Sequence, residues 1–404
     1  MTEISRPKAV FLNPRTPPHI GTLILMAGVS AATMNIFLPN LSAVAEHYNA
    51  TPARAQLTVS LYLAVSGVMQ LVIGPLADRY GRRPILLISA VIFILASVAA
   101  SFAPTMGTFL FCRMLQAVIA SAIVLSRAIV RDMVPADQAA SMIGYVTMAM
   151  SLVPMLAPTF GGLLGETFGW QASLHALSLL GCLVLFLVWR DLGETLQVRQ
   201  ATMGAQLRAY PVLLKSGRFW GYAVAAAATS GAFFCFMGGA PIIGSRVYHL
   251  EPSTLGLYMA APGIGYLVGN FLSGRLSGKV GILKMVVTGN MITLAGVSVM
   301  VITSLIGIHS PLTIFGLMPL VGLGNGLALP SASAGMMSVR ADLIGSASGL
   351  GAALTIGGGA ALSALAGVVL TGATSPLPLQ LVMLGSALIG VVALLSLRGA
   401  RGRV

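Results

Sequence analysis

Charge is what this chain lacks. Only 8% of its 404 residues are Asp, Glu, Lys or Arg, where an average soluble domain carries about 25%. With 56% of the residues apolar, no soluble fold of this size could hide so much apolar surface, so the chain is read as an integral membrane protein. Acids are scarcest of all. The ten are Glu3, Glu46, Asp78, Asp132, Asp137, Glu166, Asp191, Glu194, Glu251 and Asp342, and none falls in the middle of an apolar run. The three cysteines (Cys112, Cys182, Cys235) all lie inside such runs without a CxxC pair, which excludes a disulfide framework or a thiolate metal site. The five histidines, His19, His47, His175, His249 and His309, sit at run ends or in loops without ligand spacing. No metal and no cofactor are expected. An enzyme would need clustered His, Asp or Glu at the membrane surface, and a sensor a sizeable soluble domain. Neither pattern is present.

What the chain has is long apolar runs. Twelve candidates lie near 20–41, 55–76, 84–103, 107–130, 138–163, 170–189, 217–243, 254–274, 282–306, 311–335, 343–371 and 378–397, and a membrane-spanning helix needs roughly 20 apolar residues. The runs are twice the length of a barrel strand, so the backbone must satisfy its own hydrogen bonds as helices. The first run follows a polar start containing Arg6, Lys8, Pro14, Arg15, Pro17 and Pro18. It is too long and wrongly flanked for a cleaved signal peptide, and is expected to be the first permanent span.

The net charge of +13 raises the question of nucleic acid, and the distribution answers it. With both termini cytoplasmic, only Arg54 and Arg246 fall on the far side and Arg113 within a span, leaving 20 of the 23 Lys and Arg at cytoplasmic ends or loops. This is the positive-inside pattern. The basic excess is topological, with the lipid bilayer and not nucleic acid as its partner.

Residues 74–84 read Gly-Pro-Leu-Ala-Asp-Arg-Tyr-Gly-Arg-Arg-Pro. Two hundred positions later Gly274, Leu276, Lys279 and Gly281 stand opposite Gly74, Leu76, Arg79 and Gly81. The chain is therefore expected to be all-α, with twelve transmembrane helices in two pseudo-symmetric six-helix halves, 1–189 and 219–404. The longest polar stretch, 190–218, would be a cytoplasmic linker. Duplications of this kind build secondary transporters.

Several constellations carry physical meaning. Asp78, among Arg79, Arg82 and Arg83 where the third span begins, can face a helix N-terminus and bind a neighbouring Arg, latching two helices in one conformation; the alternative is a merely topogenic basic loop. Gly74 and Gly81 would allow close approach or positive φ. Arg113 is the sole basic residue well inside a span, with Gln116 one turn along on the same face. Such a charge normally faces a cavity or a partner, or bonds to backbone carbonyls near the outer surface. Pro154 and Pro158, with Gly161 and Gly162, interrupt the hydrogen-bond ladder of the fifth span. Glycine clusters at 316–335 and 345–359 permit tight or sliding helix packing. Gly322-Leu-Gly-Asn-Gly326 mimics a nucleotide loop, but no strand precedes it.

These residues carry a resemblance that covers essentially the whole chain. The loop Gly74 to Pro84 resembles the signature between spans 2 and 3 of the major facilitator superfamily. Arg113-Met-Leu-Gln116 resembles its antiporter motif, with Ala117 for the usual Gly, and Ala157-Pro158-Thr-Phe-Gly161-Gly162 resembles its exporter motif, with Ala157 for the first Gly. Together with Arg127-Ala-Ile-Val-Arg131-Asp132 they are similar to the bicyclomycin and chloramphenicol resistance branch of twelve-span drug:proton antiporters. The resemblance implies a gating loop, a role for Arg113 in proton transfer, and a kinked fifth span at the interface between halves. It implies export of small amphipathic molecules, phenicol-like or other antibiotics, in exchange for protons across a bacterial inner membrane. An exporter or importer of an endogenous metabolite or siderophore would use the same fold. The chain is expected to act as a monomer.

One departure stands out. Related transporters often place an acid in span 1 just before Tyr-Leu-Pro. Here the stretch reads Met34-Asn35-Ile36-Phe37-Leu38-Pro39, and Asn35 cannot titrate. A central cavity without a carboxylate disfavours cationic cargo. Proton coupling would then use a peripheral acid, with Asp132, which Arg127 or Arg131 could pair, and Glu166 as candidates. Asn35 could hydrogen-bond substrate or another helix. Tyr62, Tyr145, Tyr222, Tyr258 and Tyr266, with Phe233, Phe234, Phe236, Met148 and Met150, are candidates for the cavity wall, the alternative for each being packing or contact with lipid.

Overall fold

A computed structural model describes residues 10–134, 136–196, 210–308, 310–340 and 343–400. Among them there is no strand. The first half comprises α1 (Ile20–His47), α2 (Pro52–Tyr80), α3 (Arg82–Ser101), α4 (Met106–Met133), α5 (Ala136–Phe168) and α6 (Gln171–Arg190). The second comprises α7 (Gly217–Arg246), α8 (Pro252–Val280), α9 (Ile282–Leu305), α10 (Pro311–Met337), α11 (Ile344–Val369) and α12 (Leu377–Ala400). Among the described residues, eleven helices, all but α5, are long and apolar enough to cross a membrane. α5 is a helix of 33 residues at the place of the fifth apolar run.

Four of these rods are jointed. α1 breaks after Asn35, where Pro39 enters a 3-10 turn, Leu38–Asn40. α8 breaks after Met259 and α10 after Phe315, each just before a Pro (Pro262, Pro319) at the start of the next segment. Proline fits a first turn because it has no N–H to place there. α4 tightens into a 3-10 turn at Ala117–Ala120, directly after Gln116. The sequence gives no proline for that joint.

The internal repeat has a backbone counterpart. α2 ends at Gly81 with φ +103° and α8 at Gly281 with φ +89°. In both places the next helix starts at the following residue. That conformation is open to glycine and strained for other residues. Gly74, by contrast, lies within α2, and a Cβ there would meet nothing within 4 Å. The expectation of close approach or positive φ applies to Gly81 and not to Gly74.

The two halves meet through α2 against α11 and α5 against α8, pairs that the repeat exchanges. The contacts lie at the ends of the helices remote from the basic loops, here termed the far side. Gly162 packs against the carbonyl of Pro252, and Gly256 against the carbonyl of Pro158. Small residues there let backbones approach where a side chain would not fit. Gln56 Nε2 donates to Ser363 Oγ at 2.7 Å, and the Ser42 and Ser245 hydroxyls lie 2.7 Å apart. A buried core straddles the halves on this side, joining Leu38, Val59 and Leu63 to Phe236, Phe315 and Met318. Gly322, Gly324 and Gly326 serve a different purpose. They abut α8 and α9, so that glycine cluster knits the second half together internally.

The segment after α6 is tied down. Asp191 is fully buried and accepts from Leu12 N (2.6 Å), His19 N (2.9 Å) and Thr22 Oγ1 (2.6 Å), anchoring the chain ahead of α1. Residues 197–209 of the expected linker lie outside the described residues.

The far-side closure predicts a cross-link. With Cys182, the exposed native thiol, changed to Ser and a protease site placed in 197–209, the pair Ser42→Cys and Ser245→Cys should form a disulfide on mild oxidation. The cleaved halves should then migrate together on a non-reducing gel and separate on reduction. Separate migration before reduction would contradict the closed far side.

Candidate functional site: a cavity between the halves

Beneath the far-side closure lies a cavity of about 260 Å³ between the two halves. α1 contributes Ser30 and Asn35, α2 Tyr62, Ser66 and Gln70, α4 Arg127, and α5 Met150 and Pro154. From the second half come Ser230, Phe233 and Phe234 on α7, Tyr266 on α8, Asn325 on α10 and Ile356 on α11. The wall is mainly apolar, and among the described residues no Asp or Glu lines it.

Of the cavity candidates named from sequence, Asn35, Tyr62, Met150, Phe233, Phe234 and Tyr266 face this space, whereas Tyr145, Tyr222, Tyr258 and Phe236 lie outside its wall and the Met148 side chain lies outside the described residues. Phe236 is fully buried and packs edge-on against Phe315 at 5.7 Å in the straddling core. Tyr145 is 56% exposed and lies outside the cavity wall. Phe236 comes two residues, about 200° of helix rotation, after Phe234, which turns it away from the cavity. Asn35 Nδ2 donates to Ala31 O at 2.7 Å on its own helix, and its Oδ1 is buried without a partner. That leaves the carbonyl oxygen as an acceptor in the cavity wall.

Arg113 sits beside this space but not in it. It is fully buried. Its Nη1 donates to Gln116 Oε1 at 2.6 Å and to Thr33 O at 3.3 Å, and Gln116 Nε2 donates onward to Ser97 Oγ at 2.7 Å. The guanidinium lies 5.0 Å from the ring centres of both Phe37 and Tyr62. Tyr62 is thus shared between the cation and the cavity wall. Two aromatic faces and a carbonyl replace a carboxylate, an arrangement in which a planar guanidinium serves where an ammonium would not. Nε and Nη2 have no hydrogen-bond partner.

The charged loop between α2 and α3 is a three-helix clamp. Arg82 bridges Asp78 (2.7 Å) on α2 and Asp132 (3.2 Å) on α4. Asp132 also accepts from Thr195 Oγ1 at 3.1 Å. Arg82 is therefore an ion-pair partner of Asp132. The N-terminus of α3 is capped by Glu194 and not by Asp78: Glu194 accepts from Arg82 N at 2.9 Å and from Arg83 N at 3.2 Å. Gly81 faces this carboxylate so closely that a Cβ would clash with Glu194 Oε2. Arg83 donates to Trp189 O at 2.8 Å near the C-terminus of α6, and Arg79 lies over the Tyr80 ring at 5.2 Å. Glu194 carried no signal beyond its place in a polar stretch, because its partners are backbone N–H groups 111 and 112 residues away.

On the far side, Asn40 Nδ2 donates to Gly161 O at 2.7 Å and to Ser173 Oγ at 3.2 Å. Gly161 packs on the carbonyl of Ile36, where α1 breaks. Glu166 is exposed, and its Oε2 accepts from Ser253 N at 3.2 Å in the first turn of α8. It is a cap across the halves and lies away from the cavity.

Residues 23–364 match the family model of the Major Facilitator Superfamily, and the chain belongs to that family of transporters. It is 28% identical over 387 residues to an uncharacterized MFS-type transporter, YdgK, of Bacillus subtilis (strain 168), covering 93% of this chain and 94% of that one. It is 29% identical over 378 residues to a chloramphenicol resistance protein of Pseudomonas aeruginosa, covering 92% and 88%. Its fold is similar to that of a peptide transporter solved with alafosfalin, at 14% identity and a TM-score of 0.76 over 95% of this chain and 96% of that one.

Two stability outcomes follow. Arg82→Ala should cost more than Asp78→Asn, because it leaves two carboxylates facing each other; about 1–2 kcal/mol is expected against under about 1 kcal/mol for the single, part-exposed pair. Arg113→Lys should cost about 2 kcal/mol through the lost stacking and hydrogen bond. Thermal unfolding of the purified protein in detergent measures both, and equal costs for Arg82→Ala and Asp78→Asn would refute the bridge.

Proposed function

We propose that the chain is a secondary active exporter of small amphipathic molecules, antibiotics of the phenicol type among them, working by alternating access in a bacterial inner membrane. The observation that carries this reading is the mainly apolar cavity at the junction of two repeated halves, without a carboxylate among its described lining residues and closed on the far side. The charge asymmetry supports cytoplasmic termini, so the closed side would be the outer one and cargo would enter from the cytoplasm. The similarity to a chloramphenicol resistance protein and the contacts of Pro158 and Gly162 with α8 support export. Proton exchange would supply the energy. Its candidates are the Arg113–Gln116 network, Asp132 and Glu166, of which Asp132 is bound to Arg82 and Glu166 caps α8. A protonation at either would weaken a contact between helices, which couples a proton to a movement without any acid in the cavity.

The experiment is growth of an efflux-deficient bacterium expressing the chain, across neutral, anionic and cationic antibiotics. Protection against neutral and anionic drugs is expected, with ethidium unaffected. Gly81→Ala, which strains φ +103° and strikes Glu194, should abolish protection at normal membrane levels. Protection chiefly against cations would overturn the reading of the cavity; no protection at all, at normal expression, would move the function to an endogenous metabolite or siderophore.

A further inference from the structure

One cation in the cavity is unaccounted for. Arg127 was expected at the basic end of α4 as a topological charge or as a partner of Asp132. Instead it lines the cavity on the helical face of Ala120 and Ile123, and its side chain is exposed. It makes no hydrogen bond or ion pair with any other described residue. Its situation differs from that of the other interior arginines, since Arg82 holds two carboxylates and Arg113 lies between two rings.

The described acids are engaged or placed elsewhere. Asp78 and Asp132 bind Arg82, Glu194 caps α3, and Asp191 holds the segment before α1. Glu166 caps α8 on the far side, where Glu46 and Glu251 are exposed. Among the described residues, a positive charge lines the cavity and no negative one does. Within a membrane bundle such a charge is costly unless water or an anion meets it. A guanidinium is suited to the task, since its fork binds carboxylates and sulfonates by paired hydrogen bonds. Neighbouring polar groups complete a site. Tyr266 faces the space from the other half, and the Ser230 hydroxyl is buried in the same wall with no partner. The apolar remainder, Phe233, Phe234 and Ile356 among others, accepts a hydrophobic body.

We propose that Arg127 is the specificity-determining residue of the cavity, and that the preferred cargo is an amphipathic organic anion whose single carboxylate or sulfonate binds Arg127 while its apolar part rests on the α7 aromatics. The proposal rests on the exporter reading for the word cargo. The binding site itself stands independently of transport direction.

A matched set of ligands tests it: chloramphenicol, which is neutral; its hemisuccinate, which adds one carboxylate; and its glycinate ester, which adds one ammonium. Binding to the full-length protein in detergent is measured by calorimetry for wild type, Arg127→Gln and Arg127→Lys. The hemisuccinate should bind wild type about tenfold more tightly than chloramphenicol, the worth of one charge-assisted hydrogen bond, and the glycinate more weakly than either. Arg127→Gln should abolish the order while leaving chloramphenicol affinity nearly unchanged, and Arg127→Lys should keep part of it. Equal binding of all three to wild type, no binding of the hemisuccinate, or an order that survives Arg127→Gln would overturn the proposal. Accumulation of the same compounds in inside-out vesicles is read alongside. Charge-ordered binding without accumulation would refute export and leave the anion site standing. Accumulation without charge order would do the reverse.

Discussion

A charge inside a membrane bundle must find an opposite charge, an aromatic face or water, because lipid offers none of these. With so few charges in the chain, the way each is settled governs the rest of the molecule. Three arginines show three settlements. Arg82 is neutralised by Asp78 and Asp132 and so joins α2, α3 and α4 at the basic end. Arg113 is wrapped by Phe37, Tyr62 and Gln116 and fixes the depth at which α1, α2 and α4 meet. Arg127 faces the cavity and leaves its counter-charge to whatever enters. The first two tie α1, α2, α3 and α4 together, and the third gives the cavity a chemical preference.

The joints of the helices stand where those charges need them. α1 breaks at Ile36–Phe37, which sets the Phe37 ring against Arg113 and exposes the Ile36 carbonyl to Gly161. α4 tightens into a 3-10 turn directly after Gln116, between the residue that holds Arg113 and the stretch that carries Arg127. A helix with uniform 100° steps through this region would set the relative facing of Arg113 and Arg127 differently. The 3-10 turn, at 120° per residue, changes that facing.

Much of the fold was legible because hydrophobic run length and the positive-inside asymmetry are summed over many residues. The repeat of the α2–α3 loop at α8–α9 was legible because glycine is the one residue that suits positive φ, so Gly81 and Gly281 could be paired by eye before any φ was known. The site was less legible. Asn35 and Tyr62 could be chosen by type, but Phe234 and Phe236 are indistinguishable in composition and differ only in which face of α7 they occupy. Arg127 was hidden by its neighbour. An Arg four residues before another Arg near a span end reads as a topological pair, and only the three-dimensional position of α4 against the cavity separates the two. Glu194 and Asp191 were hidden because their partners are backbone groups distant in sequence.

The contacts that join the halves differ in kind from those within a half. Within the first half the clamp is ionic, and within the second Gly322, Gly324 and Gly326 interlock α8, α9 and α10 over their lengths. Between the halves, glycine meets carbonyl at Gly162–Pro252 and Gly256–Pro158, and hydroxyl or amide meets hydroxyl at Ser42–Ser245 and Gln56–Ser363. Van der Waals contacts of this sort are individually small. Neutral hydrogen bonds can be exchanged for water at a net cost of about 1 kcal/mol each. Separation on the far side therefore asks little of any single contact, whereas disruption of either half would strand charges or overlap backbones. That difference in cost is what a rocking motion requires: two bodies that stay intact and an interface that can be wetted. The same reasoning explains why the fifth helix carries Pro158 and Gly162 at the crossing with α8, where they bring backbone to backbone and leave no side chain that a parting of the halves would have to withdraw.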